Sequence, residues 1–194
     1  MNNCLIDMPI GLIYNNRSEH ALTLFENMTI IPDRFLVTIA LTLCANLANE
    51  RSMKLGRKIF SKIHENYSQD TVVMTSALNM FVKIGDIDKA KELFTSMKSK
   101  DIVSYGAMIK GFYLNDDPLE ALNLFWQMKR NGIKPNDIIY VLAVQACSKI
   151  GMIEYCRTIV NEIPQDALKN SILQNALIDM WVSIEWSLID VLRL

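Results

Sequence analysis

The chain has 194 residues, half of them apolar (51%), and its 21 acidic and 20 basic side chains leave a net charge of −1. That length allows one ordinary domain or one short array with a buried core, and the balanced charge excludes an acidic or basic tail that would advertise a partner. No apolar run approaches the roughly 20 residues that span a bilayer, so no membrane association is expected.

The first residues, "MNNCLIDMP", lack the basic start and apolar block of a secretory signal and the Arg/Ser-rich character of a transit peptide. No address label is therefore expected in this chain. Further on, "HALTLFENMTIIP" runs from His20 to Pro32 as an apolar helical stripe ended by proline. "VVMTSALNMFVKIG" places Val73, Ala77, Leu78, Phe81 and Val82 on one face and stops at Gly85. "DIDKAKELFTSM" follows at once, with Asp86 as N-cap and Ile87, Ala90, Leu93, Phe94 and Met97 on one stripe. Two helices joined by so short a turn must lie antiparallel as an αα-hairpin.

The next hairpin has sharper punctuation. "IVSYGAMIKGFYL" is its first helix; Asp117 caps the second, Pro118 takes the first helical position, and Glu120 is placed to complete a capping box. "EALNLFWQMKRNGIKP" then ends at the left-handed stop Gly132 and at Pro135. Hairpins laid end to end divide the chain into units 2–33, 34–70, 71–101, 102–136, 137–170 and 171–194, the last of them incomplete. Ala21, Leu24 and Phe25 recur one hundred residues later as Ala121, Leu124 and Phe125, which is the span of the first three units. One hairpin cannot bury both its faces, so the units must stack, and the fold expected is all-α, an α-solenoid of antiparallel helix-turn-helix repeats in a single array over 2–194.

Few residues are suited to chemistry. Cys147 and Cys156 are nine apart, and Cys4 and Cys44 have no ligand neighbour, so all four are expected as reduced, packed thiols. His20 and His64 stand alone in helical patterns. No nucleophile, base and orienter converge, and no phosphate loop or metal cluster is written, so no enzyme activity, cofactor, metal or small-molecule substrate is expected.

The combination of helix, turn, "EAL.LF..M" and "GIKP" at this spacing resembles the pentatricopeptide repeat family, in the subclass whose standard, long and short units alternate. "DIVSYGAMIKGFYLNDDPLEALNLFWQMKRNGIKPN" reads as a standard unit, "DIIYVLAVQACSKIGMIEYCRTI" as a long one, and "NSILQNALIDMW" as the opening of a short one. Departures are a first unit about three residues short, extra residues in "LANERSMKLG", and "VSIEWSLIDVLRL" in place of a turn after Trp181. The C-terminal cytidine-deaminase-like domain common in this subclass is not expected within these residues, since neither His-x-Glu nor Cys-x-x-Cys occurs among them.

The resemblance implies single-stranded RNA as partner, one base per repeat, in organellar (mitochondrial or other) RNA processing of the editing type, with catalysis left to a separate deaminase or processing enzyme. It assigns base reading to the fifth and last residues of a unit and a sandwiching role to the second. Carried onto this chain, unit 71–101 reads with Thr75 and Asp101, a guanine-type pair, with Val72 as wedge. Unit 102–136 offers Gly106 and Asn136 with Val103, the glycine supplying no side-chain hydrogen bond. Unit 2–33 offers Ile6 and Asp33, with Asn3 where a wedge belongs. The long units carry Thr38 with Asp70 and Val141 with Asn170 and resemble spacers more than readers; the last unit carries Asn175, and Ile138 and Ile172 complete the wedges. Lys83 and Lys149, each just before a turn, are the expected phosphate contacts.

Each position also has a purely structural role open to it. Thr75 would serve as a half-buried helix residue, Asp101 as an N-cap, the lysines as solvated turn residues, and the wedges would pack in an array that binds nothing. A helical scaffold for peptides and an inactive truncated array are the alternatives. With so few competent readers and no excess positive charge, RNA affinity is expected to be micromolar or poorer.

Overall fold

The computed structural model of the protein describes residues 18–27, 33–151 and 153–192. Asn3, Cys4 and Ile6 lie outside these residues, as does the side chain of His64. Among the described residues ten α-helices follow in order: α1 Ser18–Glu26, α2 Arg34–Leu47, α3 Glu50–Tyr67, α4 Thr71–Lys83, α5 Ile87–Ser96, α6 Ile102–Leu114, α7 Pro118–Arg130, α8 Asp137–Ile150, α9 Ile153–Asn161 and α10 Ser171–Leu192, with a 3-10 turn at Ala167–Lys169. Among the described residues none forms a strand. The helices fall into two compact units, the first ending at Lys100 and the second starting at Asp101.

Local chemistry sets the helix ends. Asp86 caps α5 by accepting from the Lys89 N–H at 3.3 Å, and Gly85 before it has φ +77°. Gly132, after α7, has φ +76°. A Cβ at either glycine would meet nothing within 4 Å, so the left-handed backbone and not lack of space selects the residue. The capping box expected at Asp117 and Glu120 is only half made. Asp117 accepts from the Glu120 N–H at 3.3 Å, but its own N–H is already taken by the Phe112 carbonyl at 2.9 Å. Complete boxes form instead where serine is the third residue, at Asn49/Ser52 and Asp101/Ser104.

In the first unit α2 packs on α1, α3 and α4, and α4 packs on α3 and α5. Val73, Ala77, Leu78, Phe81 and Val82 are all buried, as their spacing predicts, and so are Ala90, Leu93, Phe94 and Met97 of the α5 stripe. The Phe60 ring of α3 meets Phe81 edge-on at 5.2 Å. Burial in this core pushes the Cys44 thiol up to about 12. Gly56 on α3 allows the closest approach: a Cβ there would fall on the Met80 sulfur and lie 3.3 Å from the Cys44 Cβ, both of them buried. Gly56→Val is therefore expected to lower stability by about 1–3 kcal/mol through overpacking. The readout is the urea midpoint at unchanged m-value; an unmoved midpoint would contradict the close contact.

In the second unit α6 packs on α7 and α8, α7 on α8, and α8 on α9 and α10. Tyr105 and Phe125 are fully buried. The Tyr105 hydroxyl accepts from Asn131 Nδ2 at 2.7 Å, and the Tyr140 hydroxyl donates to the Glu162 carbonyl at 3.2 Å. Cys147 and Cys156 are free and buried, and burial pushes both thiols up. The last segment does not turn after Trp181. It continues as α10, one helix of 22 residues, about 33 Å long at 1.5 Å per residue. Among the described residues no helix is long and apolar enough to cross a membrane, and no group of three or more His, Cys, Asp or Glu could hold a metal ion.

Candidate nucleic-acid interface

The starts of α2, α4, α6, α8 and α10 carry the same arrangement. The residue before each helix is the last residue of a predicted unit, and in every case its side chain caps the helix that follows. Asp33 accepts from the Leu36 N–H at 2.8 Å, Asp70 from Val72 and Val73 at 3.0 and 3.1 Å, and Asp101 from Ser104 at 2.8 Å. Asn136 accepts from Ile139 at 3.0 Å, and Asn170 from Ile172 and Leu173 at 2.9 and 3.3 Å. Asp and Asn suit this place because their short acceptors satisfy amides that have no partner inside the helix.

The second residue of each of these helices is apolar, and it is exposed. Phe35, Val72, Val103, Ile138 and Ile172 show 47–68% of their surface to water. This corrects the expectation that the wedges would be packed. They sit in the first turn, beyond the seam where neighbouring helices meet, while the residues that follow (Leu36 and Val37, Val73 and Met74, Ile139 and Tyr140) are buried. Phe35 was not among the predicted wedges. The signal that finds it is its place, second after the capping Asp33.

The fifth residues differ from one another. Thr75, on α4, is 7% exposed, and its Oγ1 is the one buried side-chain polar atom without a hydrogen-bond partner among the described residues. Leaving such a hydroxyl unpaired costs about 1–3 kcal/mol. Thr38, on α2, instead donates to the Arg34 carbonyl at 2.9 Å. Gly106 has room for a side chain, since a Cβ there would lie 3.7 Å from Ile139 in ordinary contact. Val141 is half-buried and Asn175 exposed. Thr75 belongs to the first compact unit and Asp101 to the second.

The two turn lysines have protein partners one repeat back. Lys83 Nζ donates to Asn46 Oδ1 at 2.7 Å. Lys149 Nζ pairs with Asp116 at 2.9 Å, donates to the Tyr113 carbonyl at 3.3 Å and lies 4.5 Å from the centre of the Tyr113 ring. Both are exposed.

The comparisons agree with this pattern. A profile of the PPR repeat family matches residues 100–149 and a PPR repeat profile matches 72–102. The Arabidopsis thaliana pentatricopeptide repeat-containing protein At1g34160 is 33% identical over 158 residues, 79% of this chain and 26% of that protein. The mitochondrial pentatricopeptide repeat-containing protein At2g03880 of the same plant is 35% identical over 147 residues, 74% and 23% respectively. The chain thus spans about a quarter of the length of these relatives. The crystal structure of the maize protein PPR10 in complex with an 18-nt psaJ RNA element superposes with a TM-score of 0.73 over 91% of this chain and 27% of that one, at 21% identity. The fold is the α-solenoid type built from antiparallel helix-turn-helix repeats. Repeats, capped first helices and relatives converge: the chain belongs to the pentatricopeptide repeat family.

Proposed function

We propose that this chain binds single-stranded RNA through the N-terminal turns of α2 and α4 in the first unit and of α6, α8 and α10 in the second, without catalysing a reaction on it. One observation carries the reading. An apolar side chain stands exposed at the second position of each of these helices, two residues after a capping Asp or Asn. A packed bundle has no use for five exposed apolar side chains at one repeated position, whereas a row of unstacked bases does.

Within this reading each unit takes one base, with Val72, Val103, Ile138 and Ile172 as wedges and Phe35 added to them. Thr75 and Asp101 stay the reading pair that the family resemblance assigns to unit 71–101; the Thr75 hydroxyl lacks a bond but is buried, so its side chain must rotate toward the surface to meet a base. Gly106 with Asn136, Ile6 with Asp33, and Asn175 remain weaker proposed readers. Lys83 and Lys149 keep donors beyond those already engaged, so they can reach phosphates as well as hold the preceding repeat. The alternating-unit subclass, organellar RNA editing or processing, a separate deaminase or processing enzyme and an organellar location (one relative is named mitochondrial) are part of the same proposal.

The test is binding to a set of short RNAs in which one base at a time is varied. The unchanged chain is expected to prefer guanine at one position by about 5-fold or more, the lower end of a 1–3 kcal/mol base contact. Thr75→Asn is expected to move that preference toward uracil. Tight binding of peptides with no binding of any RNA would replace the proposal with a protein scaffold.

A further inference from the structure

Units 34–70 and 71–101 carry the same reading pair, Thr38 with Asp70 and Thr75 with Asp101. Their side chains stand in different states. Asp101 spends one carboxylate oxygen on its cap, and among the described residues its side chain makes no other hydrogen bond or ion pair, while the Thr75 hydroxyl is unpaired. Asp70 spends Oδ1 on two amides of α4, and its Oδ2 is bridged by Arg34 Nε at 2.8 Å. Thr38 gives its hydroxyl proton to the carbonyl of the same Arg34. The Asp70 carboxylate is thus tied to the side chain of the first residue of its own unit, whereas Thr38 bonds a main-chain carbonyl that any residue at 34 would supply.

The other long unit repeats the device with different chemistry. Asn170 spends Oδ1 on two amides of α10, and its Nδ2 donates to Asp137 Oδ2 at 2.9 Å. Asp137, like Arg34, is the first residue of the unit and the first of its helix. Among the described residues, Asp33 and Asn136 form side-chain bonds only at their caps. The first residue of unit 102–136 is Ile102, which has no polar group to offer Asn136.

We infer that the first residue of a unit decides whether that unit distinguishes bases, and that Arg34 silences the Thr38/Asp70 pair through its hold on the Asp70 carboxylate while Asp137 silences Asn170. This rests on the RNA-reading proposal above. A silenced unit still accommodates a base against its wedge, because stacking is indifferent to base identity. It gives no preference, because the atoms that would answer a base's N–H groups are bonded within the protein. Arg and Asp do this equally well from one place because each complements the capping residue it meets, carboxylate in one case and amide in the other.

The experiment is the same single-base panel applied to Arg34→Ala, with Arg34→Lys as the variant that retains a cation for Asp70. Arg34 is more than half exposed, and Arg34→Gln stands in should the alanine variant melt early by circular dichroism. Losing one positive charge weakens all RNAs together, so the readout is the ratio between bases at each position. Expected is a new guanine preference of about 5-fold at a second position, next to the one governed by Thr75, with the lysine variant staying flat there. Asp137→Ala is expected to create a preference opposite unit 137–170. If the Thr75 position discriminates but Arg34→Ala and Arg34→Gln add nothing, or if the unchanged chain already prefers guanine opposite unit 34–70, silencing by residue one is wrong and RNA reading survives. If no position discriminates in the unchanged chain, the parent reading falls and takes this one with it.

Discussion

Phe125→Ala is expected to remove about 3–5 kcal/mol of stability, the largest loss from any single substitution considered for this chain. Phe125 is fully buried on α7. Its ring meets Trp126 at 5.1 Å and Tyr140 of α8 at 6.0 Å, both edge-on, and the Lys129 ammonium lies 5.8 Å from its centre. One side chain therefore joins α7 to α8 and helps hold Lys129, which is ion-paired with Glu162. Truncation removes the ring and leaves a cavity that helices fixed by turns at both ends cannot close. Against a total stability of about 5–15 kcal/mol for an ordinary domain, this is a fifth or more. A thermal melt followed at 222 nm is expected to shift down by roughly 6–20 °C. A loss under about 1 kcal/mol would show that the seam between α7 and α8 is not packed as described.

Phe35→Ala is expected to do the opposite. With 55% of its surface in water, Phe35 contributes little to the fold, and stability should stay within about 0.5 kcal/mol, as for other surface substitutions. RNA affinity, however, should fall by about 1–3 kcal/mol, the usual worth of one aromatic stacked on a base, which is roughly 5- to 150-fold. The loss should be the same whichever base is presented, because in the proposed reading Phe35 stacks and does not read. Fluorescence anisotropy with a labelled single strand, beside a melt of the same sample, measures both quantities. Unchanged affinity would remove Phe35 from the interface.

How much of this could be read from the sequence depends on how far apart the cooperating residues lie. Helix ends were legible because caps and stops are local: Asp86, Gly85, Asp117 and Gly132 each act within a few residues of themselves. Core faces were legible because a 3.6-residue period puts Val73, Ala77 and Phe81 on one side whatever they pack against. The half-made capping box was not, because the Asp117 N–H is claimed by the Phe112 carbonyl from the preceding helix, and propensity does not report that competition. The partners of Lys83, Lys149, Asp70 and Asn170 lie 33–37 residues away, one repeat back for the lysines and at the opposite end of the same unit for Asp70 and Asn170, where no local pattern reports them. Exposure of the wedges was misjudged for a related reason. Periodicity identifies an apolar face but not whether its first turn overhangs the neighbouring helix, and Phe35 to Ile172 all occupy that overhang.

That overhang has a consequence for handling the purified protein. Oily side chains kept wet at regular intervals are adhesive, and a net charge of −1 offers almost no long-range repulsion between molecules. The unliganded chain should thus be the form that clumps on concentration or storage, and a bound strand would protect it twice over, by covering the adhesive spots and by lending its phosphates' charge to the complex.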